Sequence, residues 1–191
     1  MDEILQHLLN PQKLWTRVEI LAKPGPVPKA PGFYAWYFDE VPVQVPTTNC
    51  VVRDRAVLLY IGIAPESADS KQNLRTRLRF HMKGNAEGST LRRSLGCVLA
   101  GQLRIELRRA GASSRTTFGP GEAILDEWLT QHARVTWHTF PEPWVHERQI
   151  IRAVSLPLNL EYNDHHPFRA VLSDLRSKAK KRAKTLPAWD V

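Results

Sequence analysis

Apolar residues along the chain follow two spacings in turn, one helical and one alternating, and their order predicts a mixed α/β fold. Ile4, Leu5, Leu8 and Leu9, then Leu14, Val18 and Leu21, lie on either side of Asn10-Pro11 and predict two short amphipathic helices, the second opening near Pro11. The run from Lys23 to Pro31 repeats proline too often to continue a helix and reads as an extended connector. Gly32-Phe33-Tyr34-Ala35-Trp36-Tyr37-Phe38 is short and aromatic, which predicts a strand, and residues 56–63 form its partner. Between them Pro42, Pro46 and Thr47-Thr48-Asn49 mark a loop longer than a tight turn, so the expectation is an antiparallel pair carrying an insertion.

Helical spacing resumes at Leu74 and again over residues 90–100, with a turn from Gly84 to Ser89 between them. Leu103, Ile105 and Leu107 alternate as in a short strand, and residues 111–117 read as loop. Ala123, Ile124, Trp128 and Leu129 predict a helix from Gly121, followed by a strand over residues 135–140. Glu142-Pro143-Trp144 opens a further helix, ended by Pro157. A last helix starts near Pro167 with Phe168, Val171, Leu172 and Leu175 inward, and runs into a basic tail over residues 176–184. The predicted organisation is a helical appendage and connector over 1–29, a central domain over 30–166, and a C-terminal helix with its basic tail over 167–191.

Composition narrows the class. A chain of 191 residues with 42% hydrophobic and 24% charged residues is that of an ordinary globular protein, not a disordered one. No apolar run approaches the ~20 residues of a membrane span, and Met1-Asp2-Glu3 lacks the layout of a secretory signal, so a cytoplasmic location is expected. Cys50 and Cys97 form no C-x-x-C pair, which argues against a disulfide framework or a cysteine zinc site. The net charge of +8 points to a polyanionic partner, nucleic acid first among them. The sequence holds neither an internal repeat nor a phosphate-cradling glycine loop.

Two helices carry charge where apolar residues belong. At ~100° per residue, Arg77 and His81 fall on the arc of Leu74 and Leu78, whereas Arg75, Arg79 and Lys83 fall on a separate, outward arc. In the helix opened by Pro143, Glu147 projects into the arc of Trp144, Ile150, Ile151 and Val154, where a carboxylate must be paired, protonated or metal-bound. Arg92, Arg93, Lys180, Lys181 and Arg182 join Arg75, Arg79 and Lys83 as candidate contacts to nucleic-acid phosphates.

Gly32-Phe33-Tyr34, Tyr60-Ile61-Gly62, Arg77 with His81, Glu147 on a helix and Asn159 beyond it, in that order, resemble the GIY-YIG nuclease family, and most closely the nuclease module of bacterial excision repair. Phe33 stands where the family's first motif usually has an aliphatic residue, and the intervals before Tyr60 and before Leu74 are longer than is usual in the family. The resemblance covers residues 30–165. It implies an α/β (α+β) fold, a small central antiparallel sheet of about three strands flanked by helices, and metal-dependent endonuclease chemistry on nucleic acid, DNA first, with Mg²⁺ or Mn²⁺. The implied catalytic residues are Tyr34, Tyr60, Arg77, His81, Glu147 and Asn159, with Glu147 as the metal ligand.

The residue chemistry agrees. An inward arginine stabilises charge building on phosphoryl oxygens, a carboxylate holds one hydrated Mg²⁺, and a tyrosine hydroxyl with a lowered pKa can deprotonate water. His81 can assist that proton transfer, and Asn159 can anchor substrate or the Glu147 helix. Each residue also has a plainer reading. Glu147 and Arg77 can form a structural ion pair, the tyrosines can be core aromatics, and His81 a core histidine. The whole domain can equally be a catalytically inactive nucleic-acid-binding module. His146 and the adjacent His165-His166 invite a zinc reading, against which stands the poor convergence of neighbouring histidines on one ion.

Overall fold

A computed structural model of the chain describes residues 2–189; Met1 and residues 190–191, the outermost ends of the predicted terminal segments, lie outside the described residues. In chain order the elements are α1 (Asp2–Leu9), β1 (Trp15–Thr16), α2 (Arg17–Leu21), β2 (Gly32–Phe38), β3 (Val52–Arg53), β4 (Ala56–Ala64), α3 (Leu74–Lys83) and α4 (Thr90–Leu103). They continue with β5 (Arg108–Arg109), β6 (Thr116–Thr117), α5 (Gly121–His132), β7 (Ala133–Thr139), a 3₁₀ turn (Pro143–Val145), α6 (Glu147–Arg152) and α7 (Phe168–Thr185).

The fold is the expected α/β type: an antiparallel sheet ordered β1-β7-β2-β4-β3, covered by helices on both faces. The three long strands β7, β2 and β4 match the predicted sheet, and two-residue strands at the edges bring the count to five. All seven residues of β2 are buried because it is the central strand, paired with β4 on one side and β7 on the other. Its side chains alternate. Tyr34, Trp36 and Phe38 enter the core beneath α3, α4, α5 and α7, while Phe33, Ala35 and Tyr37 enter a smaller core beneath α1 and α6.

The two motif glycines are packing glycines. A Cβ at Gly32 would lie 2.2 Å from the His138 carbonyl oxygen, and one at Gly62 would lie 2.5 Å from the Tyr34 hydroxyl oxygen. Gly62 sits opposite Tyr34 in the β2–β4 register, so its bare backbone is what lets the tyrosine ring lie across β4.

Several expectations are corrected. The second N-terminal helix opens at Arg17, not near Pro11, because Thr16 caps it through a reciprocal box with Glu19, and Trp15–Thr16 pairs with β7. The predicted strand over Leu103–Leu107 is absent: α4 runs to Leu103, Arg104 turns left-handed, and Ile105 and Leu107 are buried without strand partners. The helix opened by Pro143 begins as the 3₁₀ turn and ends at Arg152. Val171, expected inward, is 49% exposed, and the inner face of α7 is Phe168, Leu172 and Ala183. The basic tail continues that helix to Thr185.

Candidate active site

Side chains meet at the end of β4, where the buried Tyr34, Tyr60, Arg77 and Asn159, the half-buried Glu147, the exposed Glu66 and the backbone of Gly62 line a pocket of about 300 Å³. Four elements supply its chemistry. The paired strands β2 and β4 bring the two tyrosine rings to 6.5 Å between centroids. Helix α3 brings Arg77, and α6 brings Glu147 from the other layer. Helix α3 starts sharply because Asn73 caps it, accepting from the Thr76 backbone N–H at 3.1 Å while the Asn73 N–H donates to the Thr76 hydroxyl at 3.0 Å. Leu74 and Leu78 are fully buried, and Arg77 and His81 share their face as the spacing predicts.

The polar groups divide into satisfied and open ones. Tyr34 shares a 2.8 Å hydrogen bond with His81 Nε2, and His81 Nδ1 shares one of 2.7 Å with the Ser89 hydroxyl, which also accepts from the Arg92 backbone N–H. This is a buried chain of hydroxyl, imidazole and hydroxyl. His81 is held well below its ordinary pKa by burial and by the charges of Arg77 and Arg92, so the ring is neutral. Burial raises Tyr34 to about 12 against the opposing charge of Arg77. Tyr60 is raised well above its ordinary value by burial and by the neighbouring Tyr34. The Tyr60 hydroxyl faces the pocket, and among the described residues it has no hydrogen-bond partner.

Arg77 donates to Glu66 Oε1 at 2.9 Å and to the Gly88 carbonyl at 3.1 Å, while its buried Nε has no partner among the described residues. The arginine therefore pairs with Glu66 rather than with Glu147. Glu147 has neither a salt bridge nor a side-chain hydrogen bond among the described residues. Burial and the nearby charges of Glu161 and Glu66 push its carboxyl up to about 7, with Arg77 opposing. The pocket thus holds a carboxylate with no protein cation of its own. That is the donor a single hydrated divalent ion requires, so the residues present fit such an ion.

Asn159 closes the site from outside the sheet. Its Oδ1 accepts from the Ile61 N–H at 3.0 Å, its Nδ2 donates to the Ile61 carbonyl at 2.8 Å, and the Leu158 N–H donates to Leu59 at 3.0 Å. The loop over residues 156–160 acts as a false strand along the free edge of β4 and satisfies backbone groups of Leu59 and Ile61 on either side of Tyr60.

The predicted phosphate contacts fare unevenly. Arg92 is corrected outright: it is fully buried and paired with Glu122 at 2.7 Å and Asp126 at 2.6 Å, so its charge serves the packing of α4 on α5. Arg75 donates to the Val27 carbonyl and Arg79 to the Ile20 and Ala22 carbonyls, tying α3 to the connector. Arg93 is bound to Glu87, and Arg182 to Glu106. Lys83, Lys180 and Lys181 are exposed, without ion pairs among the described residues. His146, His165 and His166 do not converge: His166 bonds Ser155 while His146 packs on Phe140. Glu66, Ser89, Glu161 and Tyr162 were missed by sequence reasoning, although Ser89 stands in a readable N-cap position before α4.

An α/β domain whose strands bring two tyrosines, and whose flanking helices bring an arginine and a free carboxylate, to one pocket has the make-up of a nuclease domain. Residues 32–178 match the family model described as the GIY-YIG catalytic domain, and the chain belongs to that family. Membership points to nuclease activity in general, on a nucleic-acid substrate. No curated protein and no solved structure matches the chain. No helix among the described residues is long and apolar enough to cross a membrane.

Proposed function

We propose that the protein is a metal-dependent endonuclease that hydrolyses phosphodiester bonds of DNA. One observation carries the reading: Arg77, Tyr60 and Glu147 face a common pocket, where the Tyr60 hydroxyl and the Glu147 carboxyl have no partner among the described residues and the one carboxylate on Arg77 is the exposed Glu66, while Tyr34, His81 and Asn159 are tied into the walls.

The residues divide the work accordingly. Arg77, buried and held at the pocket by the exposed Glu66, exchanges that carboxylate for a phosphoryl oxygen and stabilises the charge that grows there as water attacks. The hydroxyl of Tyr60 orients the attacking water; burial raises its pKa instead of giving it the lowered value expected of a base, so it takes the water's proton only as the phenolate, after its own proton has passed to solvent. Tyr34 does not compete for that role because its hydroxyl is engaged by His81, which with Ser89 holds the ring in place over Gly62. Asn159 keeps Tyr60 in position through the backbone of Ile61. Glu147 is the residue to hold Mg²⁺ or Mn²⁺, which when bound supplies positive charge to the departing oxygen and the electrostatic bias that a tyrosine base needs. The +8 charge and the exposed lysines Lys83, Lys180 and Lys181 support a polyanionic substrate.

The test incubates purified protein with supercoiled plasmid, single-stranded and duplex oligonucleotides and RNA, in Mg²⁺, Mn²⁺ or EDTA. Cleavage of DNA in either metal, lost in EDTA and in both Arg77→Ala and Glu147→Ala, is expected. Salt-sensitive binding without cleavage under any condition would replace the reading with that of a silent binding module.

A further inference from the structure

Away from the pocket, α1 and β7 bring together three side chains suited to a transition metal. Glu3 and His7 stand four residues apart on one face of α1, and His138 reaches them from β7. Their ligand atoms all lie within 4.8 Å of one another. The imidazoles of His7 and His138 stack at 4.3 Å between centroids and 26° between planes.

Each ligand is prepared for the task by something other than proximity. His7 Nδ1 lies 2.8 Å from the Glu3 backbone carbonyl, a bond only an N–H can make, so Nε2 carries the lone pair. A backbone carbonyl fixing the tautomer of a ligating histidine is the usual arrangement in zinc sites. Ile4 and Leu8, the residues following Glu3 and His7, are buried in the core beneath α1, so the helix cannot rotate the two ligands away. His138 sits opposite Phe33 in the β7–β2 register, near the end of β7, and is held there by the strand pairing. Among the described residues Glu3 has no salt bridge, although the chain carries 27 lysines and arginines. Tetrahedral ligation at about 2.1 Å requires donor atoms about 3.4 Å apart. The three ligand atoms, within 4.8 Å of one another, are therefore looser than a filled site, and the exposed Glu3 and His7 side chains have to close on the ion as it binds.

We infer that Glu3, His7 and His138 form a Zn²⁺ site, with a water as fourth ligand, that clamps α1 onto β7. Two imidazoles and one carboxylate are a zinc-type donor set, and one that Mg²⁺, which prefers oxygen ligands, does not favour. The site joins a helix that lies outside the matched residues 32–178 to a strand within them. It is independent of the nuclease reading and of Glu147.

Metal-stripped protein is titrated with Zn²⁺ in competition with a chromogenic chelator, and separately with Co²⁺, whose visible absorption reports nitrogen and oxygen ligation. One equivalent of Zn²⁺ is expected, weakened about 100-fold or more in His7→Ala and in His138→Ala, and unchanged in Glu147→Gln. His7 is exposed, so its variant keeps the fold, checked by circular dichroism. Zn²⁺ is further expected to slow proteolysis within residues 1–12 of the wild type only. Absence of binding at micromolar Zn²⁺, or binding that His7→Ala leaves intact and Glu147→Gln removes, overturns the inference.

Discussion

Replacing Glu147 by glutamine should remove the proposed metal ligand and, in the metal-free protein, stabilise the fold. The carboxyl has an ordinary pKa of 4.5 and is raised to about 7 in the pocket, chiefly by burial and then by Glu161 and Glu66. The folded protein therefore holds a proton on Glu147 at pH values where the unfolded chain has lost it. Stability from this group is complete below the unfolded value and is lost as pH rises through the folded one. At about 1.4 kcal/mol per pH unit, the gap sets a ceiling of about 3 kcal/mol at pH 8. The pocket is open to solvent, which screens the charge and cuts the figure to about 1–2 kcal/mol. Glutamine has the same shape and no charge to desolvate, so in EDTA at pH 8 its Tm should exceed that of the wild type by about 3–6 °C. At pH 4.5 the offset should nearly vanish. Circular-dichroism melts at both pH values measure it. Saturating Mg²⁺ should then raise the wild-type Tm by mass action and leave the variant unmoved. A carboxylate held in a structural ion pair behaves in the opposite way, since neutralising it strands a buried cation. A variant no more stable than wild type at pH 8, or equally offset at both pH values, would refute the reasoning.

Arg77→Ala should lower the cleavage rate by about 10²–10³ through loss of charge stabilisation, read from single-turnover kinetics on whichever substrate is cut. Asn159→Ala leaves the N–H and carbonyl of Ile61 without partners and should cost about 2–4 kcal/mol in urea unfolding, with activity falling because Tyr60 is no longer held. Arg92→Met leaves Glu122 without a cation and Asp126 with Arg17 alone, and should cost about 3–5 kcal/mol in the same assay, without changing the salt dependence of DNA binding. A double Lys180→Ala, Lys181→Ala variant should show the reverse pattern, reducing the salt slope by about 1–2 with no loss of stability.

Those contrasts trace what could and could not be read from sequence. The strands over Gly32–Phe38 and Ala56–Ala64 were legible because aromatic and β-branched residues crowd them, and α3 and α5 because their apolar spacing is regular. Two-residue strands have no period at all, so β1, β3, β5 and β6 left no trace. Arg77, His81 and Glu147 stood out since each interrupts an apolar arc, a cost that chemistry must offset. Arg92 does the same thing on α4, and there the offset is structural. Position on a helix shows that a charge is inward, not which carboxylates wait for it 30 and 34 residues further along the chain.

The distinction between the two inward arginines is made by their partners. Arg92 meets two carboxylates through three of its nitrogens and has nothing left to offer a ligand. Arg77 meets one carboxylate, Glu66, which is itself 66% exposed on the mouth of the pocket, and keeps a buried Nε unpartnered. An exposed carboxylate is the easier of the two to displace, because its charge returns to water at little cost while a buried one would be stranded. A phosphate oxygen arriving in the pocket therefore competes with Glu66 for Arg77 on favourable terms, whereas no anion can dislodge Glu122 and Asp126 from Arg92. That difference in exposure, more than the arginines themselves, separates the residue that can bind a substrate from the residue that holds two helices together.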